Sequence, residues 1–453
     1  MVPPRRFRDR LRRGVRRRAA RIALDVGPDL DDRDAERVRA VVTHLLQRHD
    51  TATERADVAA IADAYSSLSD RGRIRFFVLL ARDFWTDATA VDRAIATRYA
   101  ATDEKSRFEA ERELRAALTP QAARLLRLFT GLQEGVKFIV DLRADELRLG
   151  HDPTTSDEDR IALAQTGNEL RAQLTTLFDV GLLELRRITW AAPAALLEKL
   201  IQYEAVHTIG SWDDLKNRLD YDRRCYAFFH LAMPDEPLVF VEIALTSGTA
   251  RELAPLLDAQ APDLDPDHAD TAVFYSISNC QPGLAGVNLG TALIEQVVEQ
   301  LHRDLPQLQR FVTLSPIPGF RAWLETTLHE QDLRVHERAL LPAAPERVLA
   351  RLSHAAWDVD EAIEPALVAL CARYLTTTRD GRALDPVANF HLTNGATIAR
   401  INWLADPSPT GRDRSAGLMA NYAYELDHIA ERADSFVARN EVSMSGAVKD
   451  LLN

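Results

Sequence analysis

Residues 272–291 read AVFYSISNCQPGLAGVNLGT, and the way this stretch divides decides the fold of the second half of the chain. Ala272 to Ser278 is rich in aromatic and β-branched residues and predicts a strand. A turn holding Gly283, Gly286 and Gly290 follows. It runs into a helix at about Leu289 to Arg303, whose Ile294, Val297, Val298 and Leu301 share one face. Phe311-Val-Thr-Leu-Ser315 then predicts another strand, stopped by Pro316 and Pro318 before a helix from about Phe320. Strand, glycine-rich turn, helix and strand make a βαβ crossover, which favours parallel neighbours.

Upstream of this unit, Arg224 to His230 and Leu238 to Leu245 are β-rich runs joined by Met233-Pro-Asp-Glu-Pro237, the pattern of a hairpin. Before Trp190 the character is different. Ala35 to Leu46 and Ala122 to Leu132 repeat apolar residues at three- and four-residue steps, and Gly and Pro are sparse. Thr119-Pro120 reads as a capping hydroxyl followed by proline at the first helical position. The turn-rich residues from Gly150 to Asp157 separate two helices. The fold class expected is α + α/β: an Arg-rich segment over 1–30, an all-helical domain over 31–190 and a mixed α/β domain over 191–453.

With 453 residues, 46% of them hydrophobic, the chain can bury a sizeable core. A net charge of −12 argues against nucleic-acid binding across the surface, yet permits a small anionic ligand in a local pocket. Cys225, Cys280 and Cys371 are scattered, with neither disulfide nor zinc spacing, and point to a reducing cytoplasm. No apolar run is long enough to span a bilayer, so no membrane association is expected. Met1 to Ile22 carries ten arginines and one acid, Asp9. It reads as a solvated or partner-contacting tail, with targeting and binding to an anionic surface as alternatives.

Three local features bear on chemistry. The turn from Gly283 to Thr291 can cradle a diphosphate on the amides that open the next helix, although it lacks the Lys-Ser/Thr ending of a nucleoside-triphosphate loop. An ordinary glycine-rich turn is the alternative. Ser315 stands where a parallel strand delivers its C-terminal end to a ligand crevice, or else it caps the Phe320 helix. His391 lies in DPVANFHLTNGA, residues 385–396, a loop-like phrase in which a lone histidine is more often structural than catalytic.

Together these residues resemble the malonyl-CoA decarboxylase family, in the order Gln281 to Thr291, Leu314 to Phe320 and Pro386 to Ala396. Gly135 to Asp145, Tyr221 to Tyr226, Arg400 to Asp406 and Gly417 to Tyr424 look like the same family. The resemblance implies a helical domain that takes part in oligomerisation, as a dimer or tetramer, and a catalytic domain of the GNAT acyltransferase type. It implies binding of malonyl-CoA and acetyl-CoA through Ala285, Gly286, Val287, Asn288, Leu289, Gly290 and Thr291, with Ser315 and His391 catalytic and in contact with substrate. It implies no metal and no cofactor. The C-terminal Leu451-Leu-Asn453 departs from a peroxisomal address.

Loss of CO2 from a malonyl thioester leaves an electron pair that the thioester carbonyl accepts as an enolate, so no external electron sink is needed. His391 is then the candidate to protonate or stabilise that enolate, and Ser315 the candidate to orient the carboxylate. The rival expectations are a GNAT-type N-acyltransferase, which would need an amine acceptor, and a noncatalytic CoA-binding scaffold.

Overall fold

The computed structural model describes residues 24–47, 51–262, 264–287, 289–352 and 361–453. The Arg-rich stretch from Met1 to Ile22 and Asn288 of the expected cradle lie outside the described residues. The chain forms two compact units: one holds residues up to Leu182 together with Gln281–Val287, and the other holds Leu183–Cys280 and Asn288–Asn453. A helical region is thus followed by a mixed α/β sheet region. Among the described residues, no helix is long and apolar enough to cross a membrane.

The first unit is built of helices, among them Asp32–Gln47, Ala88–Ala100, Glu104–Leu118, Gly135–Gly150 and Asp157–Leu177. Small polar residues set the starts of two of them: Asp103 and Ser156 each accept a backbone N–H from three residues on. Tyr65, Phe76, Phe77 and Phe138 meet edge to face with ring centroids 5.1–6.1 Å apart, at the aromatic centre of this core. Thr119 does not act as expected. The helix Gln121–Phe129 is capped by Pro120 without a side-chain bond, while the Thr119 hydroxyl donates back to the carbonyl of Arg115 at 2.8 Å. A hydroxyl next to the end of one helix has that open carbonyl within reach, and it closes the helix behind it.

The second unit centres on an eight-stranded sheet. Its strands are β1 (Leu183–Ile188), β2 (Arg223–His230), β3 (Val239–Thr246), β4 (Thr271–Asn279), β5 (Arg310–Thr313), β6 (Ser315–Pro316), β9 (Thr397–Asn402) and β10 (Met419–Tyr424). A separate two-stranded ribbon is made by β7 (Thr378–Arg379) and β8 (Arg382–Ala383). The order is β1-β2-β3-β4-β5-β10-β6, with β9 also on β10. The expected hairpin is β2 against β3, antiparallel. The expected crossover runs from β4 through the helix Leu289–Asp304 to β5, and β4 and β5 pair in parallel. Every residue of β2 is buried, so this strand is covered on both faces and its side chains pack on two sides.

The strand expected from Phe311 to Ser315 is interrupted at Leu314. On β10, Ala423 pairs with Val312 and Ala420 pairs with Ser315, but the two positions between lack ladder pairing with the β5–β6 segment. Side chains take over there. The Tyr422 N–H donates to the Thr313 hydroxyl at 3.1 Å, and Asn421 Nδ2 donates to the Thr313 carbonyl at 2.7 Å. A bulge in the β9–β10 ladder falls at the same point, between Asn421 and Tyr422. The sheet is therefore locally opened where Ser315 begins β6.

Candidate active site

The phrase expected to be a loop is a helix, Pro386–Thr393. Its start was written in the sequence. Asp385 accepts the backbone N–H groups of Val387 and Ala388 at 2.9 and 2.8 Å, and Pro386 takes the first helical position, where a missing N–H costs nothing. Burial raises the Asp385 carboxyl to about 6, against the pull of these two N–H groups. The helix carries His391 inward, and the imidazole is 2% exposed.

Ser315 and His391 are brought together. The Ser315 hydroxyl lies 3.0 Å from His391 Nε2, although 76 residues separate them in the chain. Ser315 has no capping role, since the Phe320–His329 helix is preceded by Gly319 and has no side-chain cap. The Ser315 hydroxyl also donates to the Thr313 hydroxyl at 2.8 Å. A hydroxyl has one proton to give, so the contact with His391 takes its proton from Nε2–H. Nδ1 is then the acceptor, and the Tyr424 hydroxyl stands 2.8 Å from it. Burial holds the Tyr424 phenol well above its ordinary range, so it keeps its proton and donates. The same burial pushes His391 down to about 3, which leaves the imidazole neutral at physiological pH. Tyr422 stacks on the imidazole with ring centroids 4.3 Å apart.

Tyr424 and Thr313 were not singled out from the sequence. A signal existed: Tyr422 and Tyr424 are two apart on β10 and point to one face, and the first stacks on the ring while the second bonds to it. Which face holds the histidine is a tertiary fact.

The expected CoA cradle divides. Ala285, Gly286 and Val287 belong to the helical unit, while Leu289, Gly290 and Thr291 open the helix Leu289–Asp304 in the sheet unit. The glycines have separate reasons. At Gly283 a Cβ would collide with the carbonyl of Val140, and at Gly290 it would overlap the Phe390 ring, so both are needed for internal packing. Only Gly286, at φ +80°, serves the turn conformation itself, since a Cβ there would make no more than an ordinary contact with Arg171 Cδ at 3.8 Å. Arg143, 6% exposed, donates to the carbonyl of Ala285 at 3.3 Å within the helical unit and holds this turn.

A phenol, a neutral imidazole and a serine hydroxyl thus form one buried hydrogen-bonded run where the sheet opens, an arrangement of the kind that acid–base enzymes use. Residues 181–453 match the malonyl-CoA decarboxylase C-terminal domain, and residues 84–178 match the malonyl-CoA decarboxylase N-terminal domain. Mitochondrial malonyl-CoA decarboxylase from Anser anser anser is 35% identical over 393 residues, covering 82% of this chain and 77% of its own. The Mus musculus protein is 36% identical over 371 residues, with 76% and 74% covered. The crystal structure of malonyl-CoA decarboxylase from Agrobacterium vitis superposes with a TM-score of 0.84 at 37% identity, over 92% of this chain and 100% of that one. That from Rhodopseudomonas palustris gives 0.81 at 38% identity, over 92% and 99%. The chain belongs to the malonyl-CoA decarboxylase family.

Proposed function

We propose that the chain converts malonyl-CoA to acetyl-CoA and CO2 through a thioester enolate. The observation that carries this reading is the hydrogen-bonded run from Tyr424 through His391 to Ser315 in a member of this family. CoA is taken up by residues 285–291, and Ser315, still accepting from His391, turns its own proton from Thr313 to the malonyl carboxylate and orients it so that the bond to be broken stands perpendicular to the thioester plane. The electron pair released on loss of CO2 moves into that carbonyl.

The enolate carbon then takes a proton. A thioester enolate is a far stronger base than a phenolate, so a neutral donor suffices and no imidazolium is required. His391 gives the proton from Nε2, directly or through the Ser315 hydroxyl, as Tyr424 supplies its own proton to Nδ1. Solvent restores the phenol between turnovers. The reading includes a homo-oligomer, dimer or tetramer, to which the exposed Tyr99 and Phe108 of the helical unit offer apolar surface. A cytoplasmic setting agrees with three cysteines that are buried and free.

The test is purified protein with malonyl-CoA alone. Acetyl-CoA and CO2 should form without an amine acceptor, and Ser315→Ala should lower kcat more than it weakens CoA binding. Turnover that depends on an added amine would replace this reading by acyl transfer, and saturable CoA binding without turnover would replace it by a scaffold.

A further inference from the structure

Close to His391 in the chain the fold holds a buried donor that it does not use. Asn394 is 3% exposed, and its Nδ2 has no hydrogen-bond partner, although buried amide N–H groups are ordinarily satisfied. The other end of the same amide is fixed: the Thr291 hydroxyl donates to Asn394 Oδ1. Thr291 lies in the first turn of the Leu289–Asp304 helix, so the amide is tethered to the start of that helix with its N–H groups as the free end. Asn394 follows His391 by three residues, and its backbone N–H closes the helix on the carbonyls of His391 and Phe390. Residues three apart at a helix end are neighbours on its surface, so the amide and the imidazole leave the chain within one turn of each other.

We infer that Asn394 donates from Nδ2 to the thioester carbonyl oxygen of bound malonyl-CoA and holds the negative charge that develops there as the C–C bond breaks. The inference rests on the decarboxylation proposed above. The step balances without a proton from Asn394: the C–C pair becomes the enolate double bond, the carbonyl π pair moves to oxygen, and CO2 leaves. Protonation at carbon then follows through His391. A neutral donor locked by Thr291 needs no reorganisation when the charge arrives, which is what makes such a group effective in a buried site. The Tyr422 hydroxyl is also unpartnered, but Tyr422 meets His391 through its ring face, and no side-chain bond fixes its hydroxyl as Thr291 fixes Asn394.

The experiment compares wild type with Asn394→Asp, Asn394→Ala and Thr291→Val, measuring kcat and KM for malonyl-CoA and the affinity for acetyl-CoA. Asn394→Asp is isosteric and keeps the acceptor for Thr291 while losing the donor. Its kcat should fall about 10²- to 10³-fold. Acetyl-CoA affinity should stay within about threefold, because the lost contact strengthens only in the transition state. Asn394→Ala should lose kcat to a similar extent, and Thr291→Val, which frees the amide without removing it, should lose less. Full kcat in the Asp variant, or a rise in KM alone, overturns the inference while leaving the decarboxylase reading intact. Wild-type protein that releases no CO2 overturns both. Unchanged thermal melting of the Asp variant separates the effect from misfolding.

Discussion

Turnover of this protein should be insensitive to pH between about 6 and 8 at saturating malonyl-CoA. Burial has carried His391 from its ordinary 6.5 down to about 3, a penalty of about 5 kcal/mol against the imidazolium at 1.36 kcal/mol per unit. At pH 7 only about one imidazole in ten thousand carries the second proton. A mechanism that used imidazolium as the acid would therefore lose about tenfold in kcat for each pH unit above the pKa. A neutral relay through Nε2–H and Tyr424 has no such slope. His391→Asn should lower kcat by about 10²- to 10⁴-fold at every pH in the range. The same burial predicts a stability effect of definite sign. The unfolded chain protonates this ring below about 6.5 and the native one does not until about 3, so stability is complete above 6.5 and falls as pH drops. Denaturant titrations at pH 7 and pH 5 should show wild type losing about 2 kcal/mol more than His391→Asn on acidification. CO2 release followed across pH, with these titrations beside it, is the assay. A tenfold decline in kcat per pH unit from 6 to 8 would refute the neutral relay.

Two further changes probe other parts of the molecule. Tyr424→Phe removes the hydroxyl that donates to Nδ1 and should cost about 10- to 100-fold in kcat, as the loss of one partly charged hydrogen bond in the transition state, with malonyl-CoA KM nearly unchanged. An unaltered kcat would remove Tyr424 from the relay. Arg218, 2% exposed, donates to Glu242 at 2.9 Å and to Asp214 at 2.8 Å. It stays cationic beside Asp214 and Glu242, and its charge opposes the burial that pushes the Glu242 carboxyl upward. Arg218→Met strands a buried carboxyl and should destabilise the protein by about 3–5 kcal/mol in urea unfolding. A loss below about 1 kcal/mol would mean that Glu242 takes up a proton once its partner is gone, so that no charge is left stranded.

Much of the fold was legible because its signals are local. Apolar spacing marked the helices, and β-branched runs marked β2, β3 and β4. The glycine-rich turn between a strand and an amphipathic helix announced the parallel pairing of β4 with β5. Local signals also mislead: Thr119 reads as the cap of the helix after it although its hydroxyl closes the one before, and Asp385-Pro386 starts a helix inside a phrase that reads as a loop. The break at Leu314 had no local signal, because Thr313 accepts a backbone N–H from Tyr422, 109 residues away.

The sequence by itself determined the family, the strand-turn-helix-strand unit and the presence of a serine and a histidine fit for acid–base work, since residue types and short-range spacing carry all of these. Only the tertiary structure decided that Ser315 meets His391 at 3.0 Å, that Tyr424 occupies the far nitrogen, and that the imidazole is neutral. Those facts depend on which residues distant in the chain share a buried volume and on how much water that volume excludes.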